Sequence, residues 1–364
     1  MLEYRDLDAA ARAWLDQGDP VPLARLFDRS TTAGALPPLF SAYSVGMELA
    51  DECTVYRSPF DMHASVDERR RQYHAAIAAL PRGMFDPVSP SAALFAGPLP
   101  IDECLSWPAP AHDDPFVTVT APIVPPTLPV LILSGDLDSI TAPGDAEQAR
   151  RELGPSAMVV TLPNSAHSST FYDAYDCAQR IVRAFIEHPD TRPDTACTAR
   201  IAEVRAVGVF PELLIDEPPA SPRSGDRATR REARAAALAI AAVGDAIESA
   251  RYAAYNEGLC DRRAYCGRGL RGGWFVSTPD ATKVGLYRYA FSYDTQVTGF
   301  ARISAENVAY GAGRVTARLV VHAKGDHIVE TLRATWDERV PQARATVDGR
   351  TQDGRPIHEE TPAP

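Results

Sequence analysis

Residues 129–167 read PVLILSGDLDSITAPGDAEQARRELGPSAMVVTLPNSAH. A short apolar run, 130–133, stops at Ser134-Gly135, and two acids follow, Asp136 and Asp138. Pro143 opens an amphipathic segment over 146–153. A second apolar run, 158–162, ends at Pro163-Asn164, and His167 comes four residues after that proline. The pattern predicts strand, acid-bearing loop, helix, strand, histidine-bearing loop. Continuous apolar strands joined by a helical crossover belong to a buried parallel sheet. Loops at the carboxyl ends of parallel strands share the edge where ligands bind. Asp138 and His167 are therefore expected on one edge, where the carboxylate can orient the imidazole and stabilise its protonated form.

The motif G-D-L-D-x-x-T-x-P after a V-L-I-L strand, with N-x-x-H some 30 residues on, resembles the end of an α/β-hydrolase. In that fold the triad runs Ser, Asp, His along the chain. The matching acid is Asp138 and the matching base His167; Asp136 is the acid that often precedes. C-L-S-W-P at 104–108, CAQRIVRAFI from Cys177 and DTACTARIAEVRAVGVFPE at 194–212 extend the resemblance. Together these segments resemble the C-terminal part of the secreted actinobacterial tripeptidyl-aminopeptidase-like (TAP-like) hydrolases, over residues 1–215. For Asp138 the competing role is a turn carboxylate, and a lone histidine is more often structural. The spacing of the pair favours catalysis.

The family nucleophile sits in G-x-S-x-G, on a strained elbow between strand and helix, and no such motif occurs in this sequence. The elbow, the oxyanion loop and about six strands of the sheet are expected upstream of Met1. Ser44 in YSVGM lacks the first glycine and a preceding apolar strand. Ser134 and Ser168 flank the acid and the base, positions where serines usually bond backbone.

The chain has 364 residues, enough for two or three domains, with 45% hydrophobic and 23% charged residues. Its formal net charge of −11 disfavours nucleic acid or anionic membrane as a partner. No apolar stretch approaches the roughly 18 residues that span a bilayer, and MLEYRDLDAA lacks the apolar core of a signal peptide. There are six cysteines: Cys53, Cys104, Cys177, Cys197, Cys260 and Cys266. Without a C-x-x-C or a Cys/His cluster, neither zinc nor another metal is expected. Order along the chain and the family resemblance favour disulfides Cys53–Cys104, Cys177–Cys197 and Cys260–Cys266. Such bonds persist in oxidising compartments, so the full-length protein is expected to be secreted or in the cell envelope.

The expected fold class is α/β: a partial α/β-hydrolase, made of a helical cap and the last βαβα unit, followed by a small all-β domain. Residues 1–128 read as the cap. Leu7, Ala10, Ala11, Trp14 and Leu15 follow helical spacing, further helices lie at 41–52 and 66–80, and Arg69-Arg70-Arg71 reads as a solvated face. Trp107 reads as packing within the cap. Residues 129–214 form the hydrolase remnant and 215–228, rich in Pro, Ser and charge, a linker. An alanine-rich helix at 230–255 opens a domain at 229–345. It continues in short β-type runs at hairpin spacing, which suggest a sandwich. The polar residues 346–364 read as a disordered tail. G-L-R-G-G at 269–273 marks a turn, and no cofactor motif surrounds it.

The resemblance implies a serine hydrolase that cleaves short peptides or small amides and esters through an acyl-enzyme. His167 would be the general base and Asp138 its orienting acid. The nucleophile-bearing half would be a partner, and the isolated chain is expected to be inactive. The alternative is a non-catalytic binding protein on a truncated hydrolase fold.

Overall fold

The computed structural model describes residues 2–33, 44–55, 58–81, 83–84, 89, 101–110, 125, 127–167, 169–170, 176–201, 203–255, 259–261, 264–304, 312–324 and 328–364. The chain divides into two compact units, one of Met1–Gly34 with Ala121–Pro364, the other of Ala35–Thr120.

The smaller unit contains α3 (Val45–Val55), α4 (Val66–Ala78) and α5 (Ile101–Ser106). Ser65 caps α4 by accepting from the Glu68 amide, and Asp67 and Glu68 complement the positive end of the helix. The Cys53–Cys104 disulfide lies beside buried Phe60, Tyr73 and Leu105, with Trp107 packed against them. Arg69 departs from the solvated face expected of its run. It is buried and donates to the carbonyls of Ala64 (3.1 Å), Leu105 (3.1 Å) and Trp107 (2.6 Å), and to that of Met62. Five donors in a fixed fork let one guanidinium satisfy several loop carbonyls at once. Arg70 and Arg71 remain exposed.

In the larger unit, α1 (Leu2–Gln17) and α2 (Val21–Ala33) form a hairpin. The turn uses Gly18 at φ 74°, the left-handed region that glycine enters without strain. The buried face of α1 is Ala9, Ala10 and Ala13, whereas Leu7, Trp14 and Leu15 are exposed. Small side chains let this hairpin join the core built on α8 (Arg230–Tyr255). Arg25 of α2 makes two 2.8 Å hydrogen bonds to Asp245 of α8, and the Tyr289 hydroxyl donates to the same carboxylate at 2.6 Å. Residues 2–33, expected in the cap, thus pack with the C-terminal elements.

Those elements are a ten-stranded sheet rather than a sandwich. Its strands are β3 (Ser221–Pro222), β4 (Leu259–Asp261), β5 (Ala264–Arg268), β6 (Trp274–Ser277), β7 (Lys283–Tyr289), β8 (Thr295–Ser304), β9 (Arg314–Ala323), β10 (Ile328–Asp337), β11 (Arg344–Thr351) and β12 (Pro356–Pro362). They pair antiparallel in the order β3-β12-β11-β10-β9-β8-β7-β6-β5-β4. Strict alternation, as in RVTARLVVHA of β9, gives each central strand one apolar face. The helix α8 touches every strand from β5 to β12 and supplies the cover a second sheet would have given. Residues 346–364, expected to be disordered, form most of β11 and all of β12. Their alternation buries Val347, Ile357 and Glu359 although the segment is polar overall. The 215–228 segment is likewise tied down. The Arg223 amide donates to the His358 carbonyl at 2.7 Å, and Ser221–Pro222 pairs with β12.

The remaining piece is β1 (Val130–Gly135), α6 (Pro143–Leu153), β2 (Ala157–Leu162) and α7 (Cys177–Glu187). The two strands pair in parallel, Val130 opposite Ala157 through Gly135 opposite Leu162. Cys177, Ala178 and Ile181 of α7 bury against Val160 and Leu162. The Cys177–Cys197 disulfide fastens α7 to the following 3-10 turn. Cys266 is also disulfide-bonded. The side chain of Cys260, its expected partner, lies outside the described residues.

Candidate active site

Both strands end level with each other, so their loops leave the sheet side by side. The loops are joined by backbone hydrogen bonds from the Asp136 amide to the Leu162 carbonyl (3.1 Å) and from the Leu137 amide to the Ser165 carbonyl (3.0 Å). Asp136 Oδ1 accepts from the Ser165 amide at 3.3 Å. Asn164 turns the second loop at φ 52°, a conformation asparagine tolerates better than most residues. The acid beside Asp138 therefore positions the histidine loop.

Asp138 lies under its own loop. Its Oδ1 accepts from the amides of Ile140 and Thr141, each at 2.9 Å. Its Oδ2 accepts from the Thr141 hydroxyl at 2.7 Å and lies 3.1 Å from His167 Nδ1. Burial pushes the carboxyl up, but the Thr141 hydroxyl, the two amides and the His167 ring outweigh it and hold it at about 2. The carboxylate is thus ionised throughout the neutral range. Its side chain is 7% exposed and that of His167 is 44% exposed. Nδ1 of the imidazole is held by the acid. That arrangement fixes the tautomer in which Nε2 can accept a proton.

Two residues contribute that the sequence did not single out. Thr141 Oγ1 stands 3.3 Å from His167 Nδ1 as well as beside Asp138, so one hydroxyl bridges acid and base. The threonine is the T of G-D-L-D-x-x-T-x-P; its spacing was visible but its role was not. Tyr4 of α1 donates its hydroxyl to the Leu137 carbonyl at 2.9 Å, a contact across 133 residues that no local pattern announces.

Ser44 accepts from the Met47 amide at 3.2 Å at the start of α3, the work of a helix cap. Ser134 is buried within β1. Ser168 lies outside the described residues. Among the described residues no hydroxyl hydrogen-bonds His167 Nε2, and no three His, Cys, Asp or Glu side chains converge as a metal site requires.

Residues 95–197 match the family model described as TAP-like protein. That part of the chain is similar to TAP-like proteins. The matched segment contains Asp138 and His167 together with Cys104, Cys177 and Cys197. Among curated proteins and among solved structures nothing matches. The disulfides suit an oxidising compartment. Among the described residues no helix is long and apolar enough to cross a membrane.

Proposed function

We propose that the chain supplies the acid and base of a secreted serine hydrolase that acts on short peptides, amides or esters, and that its serine lies outside this sequence. The observation that carries the proposal is the 3.1 Å contact between Asp138 Oδ2 and His167 Nδ1 at the shared end of two parallel strands. In the proposed step, His167 Nε2 takes the proton of the serine as it attacks the carbonyl and returns it to the leaving group. Asp138 keeps Nδ1 protonated and stabilises the imidazolium; it does not take the proton itself.

The packing around the strands supports a missing partner. Leu131 and Leu133 are only partly buried, α6 buries no residue, and Ile186 of α7 is 70% exposed. Strands of a parallel sheet ordinarily have both faces covered. Among the described residues no further strand pairs with β1 or β2, and an unpaired edge is a template for further strands.

The direct test reads the coding DNA before Met1 for an in-frame G-x-S-x-G. Where one is found, the longer protein is assayed with aminoacyl p-nitroanilides and p-nitrophenyl esters. Turnover that falls at least about a thousandfold in His167→Ala supports the proposal. Turnover indifferent to His167, or a stop codon and promoter directly upstream, favours the non-catalytic binding protein instead.

A further inference from the structure

The outer face of the ten-stranded sheet holds a groove of about 530 Å³ that crosses β8 to β11. Strand register places its lining in two rows. The first row runs Arg302, Thr316, Thr335, Thr346 across four neighbouring strands. The second runs Phe300, Arg318, Arg333, Asp348 across the same four. The three threonines give a low floor of hydroxyls, and the arginines rise at its end and along its side.

Arg318 and Arg333 are direct cross-strand partners. Like charges placed opposite each other destabilise a sheet, so this pair costs the free protein something. Among the described residues no carboxylate pairs with Arg302, Arg318 or Arg333. Nearby arginines do find acids: Arg344 of β11 meets Glu360 of β12 at 3.1 Å, and Arg339, in the turn after β10, meets Asp337 at 2.8 Å. Asp348, the acid on the groove wall among the described residues, is engaged by His358 at 2.7 Å and by Arg223 at 3.5 Å. Arg302 lies over the Phe300 ring, 5.7 Å from its centroid, which holds its guanidinium at the groove end. On a chain of net charge −11, such a concentration of uncompensated guanidinium groups is a local exception.

We propose that this groove binds a small polyanion with two or more oxyanion groups. Arg318 and Arg333 would clamp one group, Arg302 a second, and the Thr316 and Thr335 hydroxyls would donate to the body between them, the Thr346 hydroxyl being turned to the Thr335 carbonyl at 3.3 Å. Guanidinium forks match carboxylate and phosphate oxygens two at a time, and the volume suits a small molecule. Carboxylate and phosphate share this chemistry. The site is distinct from the Asp138–His167 pair and does not depend on a hydrolase reading.

The test is calorimetric titration of the full disulfide-bonded chain at low ionic strength, with tripolyphosphate in one arm and citrate in the other. Saturable single-site binding in either arm is expected. Binding only in the first assigns phosphate, and only in the second carboxylate. Arg318→Ala and Arg333→Ala should each weaken it at least tenfold, while Arg12→Ala on α1 leaves it unchanged. Relief of the facing charges should keep the melting temperature of each groove variant at or above the parent's. If one fails to fold, Arg318→Lys, which keeps charge but loses the fork, should still weaken binding. Absence of binding at millimolar concentration in both arms overturns the proposal, as does equal weakening by Arg12→Ala or unchanged affinity in the groove variants.

Discussion

Gly135, the last residue of β1, faces the carbonyl of Ser165 so closely that a methyl group there would overlap its oxygen and carbon. The absence of a side chain at one position thus allows the acid loop and the histidine loop to share hydrogen bonds. Gly135→Ala should push the loops apart and cost about 1–3 kcal/mol of stability, the usual penalty for overpacking. Urea denaturation measures the cost. The His167 ring resonances should lose their dependence on Asp138, and an unchanged spectrum would count against this reading.

Thr141 anchors the carboxylate that His167 needs. The Asp138 carboxyl is held at about 2, against an ordinary value near 3.9. A depressed carboxyl adds stability that is present above the unfolded value and disappears as pH falls toward the folded one. The contribution should therefore persist from neutral pH down to about 4 and be lost between about 4 and 2. Thr141→Val removes the hydroxyl bond while conserving shape, and should return the Asp138 titration toward its ordinary value. Carbon-detected titration of the Asp138 carboxyl reads this directly.

The contact between Asp138 and His167 is legible in the sequence for a local reason. G-D-L-D after an apolar strand and N-x-x-H after the next place Asp138 and His167 by strand-end geometry alone. The last two strands of the sheet are hidden in the sequence for a different reason. Residues 346–364 are polar overall, yet their alternate positions, Val347, Ile357 and Glu359, point inward, so mean polarity concealed a period of two. The α1 helix was misread because its larger apolar side chains, Leu7, Trp14 and Leu15, are outside, whereas alanines make the contact. Close helix packing selects for small size, which hydrophobicity does not report.

The Cys177–Cys197 bond closes a separation of 20 residues beside the strands that carry the pair. In the chain-entropy account such a loop adds about 3 kcal/mol. Cys177→Ser with Cys197→Ser should lower the denaturation midpoint accordingly. It should also loosen α7 before α8, since Cys177 lies in the cluster under β2 and α8 has its own core. Hydrogen exchange of the two helices distinguishes this from a uniform loss.

Arg25 and Asp245 should prove inseparable. Burial would raise the fully buried Asp245 carboxyl, but Arg25 and then Arg29 and Tyr289 hold it ionised at about 2. Arg25→Met strands that charge and should cost about 3–5 kcal/mol. Adding Asp245→Asn to Arg25→Met removes the stranded charge and should recover part of the loss. A double variant as unstable as the sum of the singles would show no coupling between α2 and α8.

Glu330 of β10 and Glu359 of β12 point into the core, fully buried, and neither carboxyl has a hydrogen-bond partner among the described residues. Burial raises Glu330 to about 9, with Glu359 and Glu232 adding repulsion. Burial likewise raises Glu359 to about 8, with Asp226 and Glu232 adding to it. Both are therefore neutral in the folded protein at pH 7 and ionised in the unfolded chain, whose carboxyls titrate near 4.3. Below that value the two states hold the same protons and pH has no effect through these groups. Above it the folded state holds protons the unfolded state has released. Stability then falls as pH rises through the range between the unfolded and folded values. The trend runs opposite to that of Asp138 and acts in a different pH range. Thermal melts should move down between pH 5 and pH 8. Glu330→Gln and Glu359→Gln together should flatten that slope and raise the melting temperature at pH 8 while changing little at pH 5. The same slope in the double variant would falsify the assignment of this pH dependence to the two buried carboxyls.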